Sequence, residues 1–186
     1  MILFNCYKDM LIDYKNKSPL IGNDTFIAEG AKIIGDVSIG NFSSIWFNVV
    51  IRGDVASVRI GNSTNIQDNT VIHTSRFNGV ASIGDNVTIG HCSILHACIV
   101  QDYGFVGMGS IILDKAIVES YGFVAAGALV TSNTIIKSYE LWGGRPARFM
   151  RQLREDEIEY IKQSALNYQS LANDYQQDEE NLPIYD

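Results

Sequence analysis

The three histidines of the 186-residue chain, His73, His91 and His96, fall together near its middle. Neutral imidazole is a common ligand of transition metals, and three imidazoles with an open fourth position form the usual catalytic zinc arrangement. A metal held in this way lowers the pKa of a bound water to about 7, which supplies hydroxide as a nucleophile near neutral pH. A lone histidine usually has a surface or core role. Three of them, gathered at the irregular points of an otherwise regular chain, favour a metal centre.

What could position them is a repeat. Aliphatic residues recur six apart at Ile21, Ile27, Ile33, Ile39, Ile45 and Ile51, again at Ile60, Ile66 and Ile72, and at Ile83 and Ile89. After a step of five the series continues through Ile94, Val100, Val106, Ile112, Val118, Val124, Val130 and Ile136. Four residues after each anchor comes a position that is mostly small or β-branched, as at Thr25, Ala31, Ser43, Thr64, Ser93, Cys98, Gly104, Ser110 and Ala116. In a narrow parallel β-solenoid the large side chain fills the axis and the small one lets the chain turn the corner. A sandwich would alternate with period two and turn about every 8–12 residues, so the period of six argues against it. The hexads break by three extra residues at 51–60, by five at 72–83 and by one missing at 89–94. Insertions in a solenoid become outside loops, often at the functional face.

This pattern resembles the hexapeptide-repeat proteins, whose fold is a left-handed parallel β-helix of triangular section with three hexads to a coil. The resemblance implies an all-β solenoid whose nineteen hexads make a little over six coils, stacked at about 4.8 Å. Counted from Ile21, the hexads at Ile72 and Ile94 are ninth and twelfth and share a face one coil apart. His73 is then the second residue of one and His96 the third residue of the other. The hexad at Ile89 is eleventh, which puts His91 on a different face. Three copies about a threefold axis would bring His91 of one to His73 and His96 of the next, an interface that closes as a ring. The sequence therefore predicts a homotrimer with each metal site shared between adjacent subunits.

From about Glu155 the apolar residues Ile158, Ile161, Ala165, Tyr168, Leu171 and Tyr175 recur at three and four, which predicts an amphipathic α-helix over about 155–177. Gly143, Gly144 and Pro146 mark the break before it. The expected division is a β-helix domain at 1–142 and a C-terminal segment at 143–186 whose helix packs on the solenoid. The polar stretch 176–186 is expected to be loosely ordered. A formal charge of −7 argues against a nucleic-acid partner, which needs clustered Lys and Arg. No window approaches the ~20 apolar residues of a membrane span, and the first residues do not read as a signal peptide. Cys6, Cys92 and Cys98, odd in number and without CxxC spacing, make no disulfide framework, so a reducing, cytoplasmic setting is expected.

The segments IAEGAKIIGDVSIGNFSSIWFNVVIRGDV, VRIGNSTNIQDNTVIH, IGDNVTIGHCSILHACIV and VGMGSIILDKAIVE, with GGRPARFMRQL before the helix, resemble the γ-class carbonic anhydrases and their close relatives. The resemblance implies reversible hydration of CO2 to bicarbonate, with His73, His91 and His96 holding Zn2+, or Fe2+ or Co2+ in its place. It gives Arg52 and Asp54 an ion pair that ties subunits together near the site, a register device more than a source of net stability. It has Gln67 orient the hydroxide and Asp68 help set the local hydrogen-bond network. Tyr168 resembles a tyrosine that the helix brings to the site; as read from the pattern alone, it belongs to the helix's apolar face. Asn65 and Asn69 read as corner residues.

Two departures bear on rate. Val55 stands where the archetypal enzymes carry a glutamate, and residues 74–82, TSRFNGVAS, hold no carboxylate in place of their acidic loop. Proton export then falls to water or buffer. The competing readings are a hexapeptide-repeat acyl (acetyl) transferase and a non-catalytic, metal-stabilised trimeric scaffold. The transferase would need a metal-free histidine and a long loop over an acyl-CoA groove, whereas the longest interruption offers five extra residues.

Overall fold

The computed structural model describes residues 9–77 and 79–181, with side chains to 178. The hexad anchors point inward: Ile33, Ile45, Ile51, Ile66, Ile72, Ile89, Ile112, Val118, Val124, Val130 and Ile136 are fully buried in one continuous core. Each short strand pairs in parallel with a strand of the neighbouring coil, so the backbone polar groups are satisfied between coils. This is the expected left-handed parallel β-helix, with about 7 turns where a little over six were counted.

Three faces result. The first stacks residues 50–53 of the strand Val50–Ile60 with Val71–His73, Ile94–His96, Ile111–Ile112 and Leu129–Val130. A second stacks residues 58–60 of that long strand with Ala81–Ile83, Ile99–Val100, Ile117–Val118 and Ile135–Ile136. The third runs from Phe26–Ile27 through Asn65–Ile66, Thr88–Ile89 and Phe105–Val106 to Glu140–Gly143, and the antiparallel strand Arg148–Gln152 closes it.

The small residues at the corners have a reason beyond size. The hydroxyls of Thr25, Ser43 and Thr64 donate to the carbonyls of Gly40, Gly61 and Gly84 at 2.8, 2.8 and 2.7 Å, satisfying corner carbonyls that no strand reaches. The coils approach closely there: a Cβ on Gly40 would stand 2.6 Å from the backbone of Gly61.

One register expectation is corrected. Leu95, not Ile94, is the anchor of its hexad: Leu95 pairs with Ile72 and is fully buried, while Ile94 is 42% exposed. The missing residue therefore lies after His96, not between residues 89 and 94. Ala97 makes that shortened corner in a left-handed conformation, φ 45°, and its N–H donates to the His73 carbonyl at 2.9 Å. Asn69 is a corner residue at φ 59°, but Asn65 is not; it is a buried strand residue.

The helix spans Glu155–Asn181, past the expected end at 177 and into the stretch expected to be loosely ordered. Residues 182–186, Cys6 and the first residues read for a signal peptide lie outside the described residues. The helix packs on the third face against Phe26–Ile27, Ser44–Ile45, Asn65–Ile66 and Thr88–Ile89, burying Ile161, Ala165 and Ala172. Its start is fixed by Glu157, whose carboxylate accepts the Arg154 N–H at 2.9 Å and is forked by Arg151 at 2.7 and 2.7 Å. Among the described residues no helix is long and apolar enough to cross a membrane.

Candidate metal centre

His73 and His96 each follow an inward anchor, Ile72 and Leu95, so both imidazoles project outward from the first face. The strands set Arg52, His73 and His96 directly opposite one another on successive coils. The two imidazole centroids are 5.3 Å apart. His91 lies past the strand Thr88–Ile89, on the third face. Among the described residues, no three His, Cys, Asp or Glu side chains of one chain converge on a point that could hold a metal. The structure thus brings two of the expected ligands together and leaves the third on another face.

A carboxylate engages each imidazole through one ring nitrogen. His73 Nε2 is 3.0 Å from Asp54 Oδ1, His91 Nδ1 is 2.7 Å from Asp68 Oδ2, and His96 Nδ1 is 2.5 Å from Asp114 Oδ1. Metal-binding histidines almost always pass their other ring N–H to a carboxylate, carbonyl or water, which fixes the ring and strengthens it as a donor. The residues present therefore fit a divalent transition metal on the second ring nitrogens.

Asp54 comes from the three-residue insertion at 51–60, which carries it out beside His73. Its second oxygen meets Arg52 Nη1 at 2.5 Å, so Arg52 and Asp54 form the expected ion pair. Burial pushes the Asp54 pKa up, but hydrogen bonds from His73 and Arg52 and the Arg52 charge outweigh it and hold the group below the ordinary carboxylate value.

Gln67 is buried, and its amide is held at both ends. Its Oε1 accepts the His91 N–H at 3.2 Å and its Nε2 donates to Asn65 Oδ1 at 3.0 Å. Asn65 in turn donates to Thr88 Oγ1 at 2.9 Å, so it braces Gln67 instead of turning a corner. Tyr168 packs edge-on against Trp46 at 5.5 Å. It also lines, with Gln67, His91, Phe105 and Met108, a cleft of about 490 Å³ between helix and solenoid. Tyr168 thus sits both on the packed face of the helix and at the wall of the cleft beside His91. Burial, and secondly the Asp68 charge, raise the pKa of its hydroxyl.

Sequence reasoning missed Asp114 and the role of Asn65. The signal for Asp114 was present: Ile112 anchors the next coil, and the carboxylate two residues on comes beside His96. Cys98, buried below this face, has its thiol pushed up to about 12 by burial, which leaves it inert.

A hexapeptide-repeat β-helix with three carboxylate-braced histidines on its flanks is the class that fold and site define. A family model described as bacterial transferase hexapeptide (six repeats) matches residues 18–53. The chain is 52% identical over 167 residues to gamma carbonic anhydrase 2, mitochondrial, of Arabidopsis thaliana, covering 87% of this chain and 60% of that one. It is 53% identical over 159 residues to the carbonic anhydrase of Geobacillus kaustophilus, covering 86% of this chain and 87% of that one. Among solved structures, a hexapeptide transferase family protein from Anaplasma phagocytophilum aligns with a TM-score of 0.87 at 50% identity, covering 90% of this chain and 98% of that one. The chain belongs to the γ-class carbonic anhydrase-like family of hexapeptide-repeat proteins. It spans about 60% of the length of the Arabidopsis relative.

Proposed function

We propose that the protein is a metal-dependent carbonic anhydrase that interconverts CO2 with bicarbonate and a proton, working as a homotrimer with each site shared between adjacent subunits. The observation that carries this reading is that all three imidazoles are carboxylate-braced while only two share a face. His73 and His96 of one subunit and His91 of the partner subunit would hold the metal. Zinc on three neutral imidazoles, or Fe2+ or Co2+ in its place, supplies a water acidic enough to give hydroxide near neutral pH.

The remaining work falls to this chain's own side chains. Asp54, Asp68 and Asp114 fix the rings that must coordinate. Gln67, locked between His91 and Asn65, presents a preset dipole that orients a polar atom in the cleft without reorganising. Tyr168 stays protonated beside Asp68 and is a hydrogen-bond donor for an oxygen of bicarbonate. Phe105 and Met108 give the apolar lining that a nonpolar substrate needs. With no carboxylate in residues 74–82, the proton leaves through water or buffer. Free Cys92 and Cys98 suit a reducing compartment such as the cytoplasm.

The test is CO2 hydration by the metal-loaded protein against His96→Ala, across buffers and metals. A rate well above the variant supports the enzyme; equal rates would leave a metal-stabilised scaffold. The name of the Anaplasma neighbour, a hexapeptide transferase family protein, favours group transfer as the second reading. Turnover of acetyl-CoA with an amine or alcohol acceptor, lost in His96→Ala, would decide for it.

A further inference from the structure

The longest insertion in the solenoid, at 72–83, presents an aromatic ring to solvent. Thr74 anchors its base: the Thr74 hydroxyl accepts the Ala56 N–H at 3.2 Å and donates to the Ala56 carbonyl at 3.3 Å. Ser75 and Gly79 then exchange backbone hydrogen bonds of 3.1 and 3.0 Å. Phe77, between them, is 91% exposed. In a loop tied at its base, that exposure belongs to the fold and is not the fraying of a chain end. A large aromatic held out on a built loop offers a ring that can anchor a contact.

Its complement lies on the helix side. The cleft beside His91 is walled by Phe105, Met108, Phe123 and Tyr160. Phe105 stacks on Phe123 with centroids 4.4 Å apart and lies 5.6 Å from Tyr160. Met108 and Tyr160 are 59% and 57% exposed, so among the described residues these walls lack a covering group. At about 490 Å³ the cleft suits a group of many atoms, far more than a three-atom gas.

The two features are placed by the same metal ligands. Phe77 follows His73 by four residues, which limits their Cα separation to roughly 13–14 Å, and the cleft begins at His91. Where His91 of one copy meets His73 of the next, the second copy's Phe77 comes within reach of the first copy's cleft. We propose that Phe77 of each subunit seats in the aromatic cleft of its neighbour, against Phe105, Met108, Phe123 and Tyr160. This rests on the shared-site reading above. A phenyl ring there gains aromatic and sulfur–aromatic contacts, and it displaces water from the helix side of the site. One subunit would thus supply its neighbour with an apolar wall as well as two metal ligands.

The experiment is cross-linking of the metal-loaded protein in a Cys6→Ser, Cys92→Ser background. Phe77→Cys and Met108→Cys are combined in one chain, oxidised with diamide and run on a denaturing gel, with Phe77→Cys alone as control. Covalent dimers and trimers from the double variant only are expected. In parallel, Phe77→Ser should keep its metal but weaken subunit association about tenfold per interface in sedimentation. A metal-loaded trimer that gives only monomer on the gel, and whose association Phe77→Ser leaves unchanged, overturns this proposal and leaves the shared site standing. Protein that neither trimerises nor holds metal overturns both.

Discussion

Asp114→Asn separates a braced metal ligand from a decorative one. Asp114 Oδ1 lies 2.5 Å from His96 Nδ1, with the side chains 20% and 35% exposed. The substitution keeps the shape and an acceptor oxygen but removes the charge that strengthens the ring as a donor. Carboxylates behind histidine ligands are worth about 10–100-fold in metal affinity, or about 1.4–2.7 kcal/mol. The partial exposure of His96 lets water screen the pair, so the lower end, about tenfold, is expected. The assay is competition for zinc between the protein and a chelator of known affinity, with thermal melting of the metal-free protein beside it. About tenfold weaker zinc binding, with the metal-free midpoint moved by less than about 2 °C, is the expected result. Wild-type affinity in a folded variant would refute the reasoning. A collapse of the metal-free fold would show that Asp114 serves the solenoid instead.

Leu95→Ala should cost about 2–5 kcal/mol in denaturant unfolding, while Ile94→Ala, half out in solvent, should cost under about 1 kcal/mol; the reverse order would overturn the register. Glu157, held near a pKa of about 2 chiefly by Arg151 and then by the Arg154 N–H, is depressed from 4.5. Its stabilisation is therefore complete above about 4.5 and lost as pH falls toward 2. Wild type should lose stability more steeply than Glu157→Gln across that window, and parallel curves would contradict the assignment. Because residues 74–82 lack a carboxylate, the maximal CO2 hydration rate should rise with buffer concentration until chemistry limits it. A rate indifferent to buffer would point to an internal proton carrier.

Most of the solenoid was legible because each coil repeats one physical demand, a large aliphatic on the axis and a small residue at the corner. The demand is weakest where two aliphatics stand side by side. At Ile94-Leu95 either could fill the axis, and only the strand pairing with Ile72 selects Leu95. Asp114 was legible under either count, because Ile112 anchors the next coil in both and the carboxylate stands two residues past it. Asn65 was misread because Asn favours turns in general, whereas here its amide satisfies buried partners across two coils. The helix end was underestimated for a related reason. Residues beyond 177 are polar all round, so their pattern gives no period to read, yet the helix continues through Asn181. His73 and His96 came together as counted because face membership survives a one-residue slip.

The shared site is tested most directly by complementation between subunits. His91→Ala chains and His73→Ala/His96→Ala chains are purified separately, then mixed, reassembled and analysed for zinc per trimer. Each parent alone should hold none, and mixed trimers should regain one site, where intact His73 and His96 of one chain face intact His91 of the other. Mixed trimers without metal, or His91→Ala trimers that bind zinc as tightly as wild type, would contradict it.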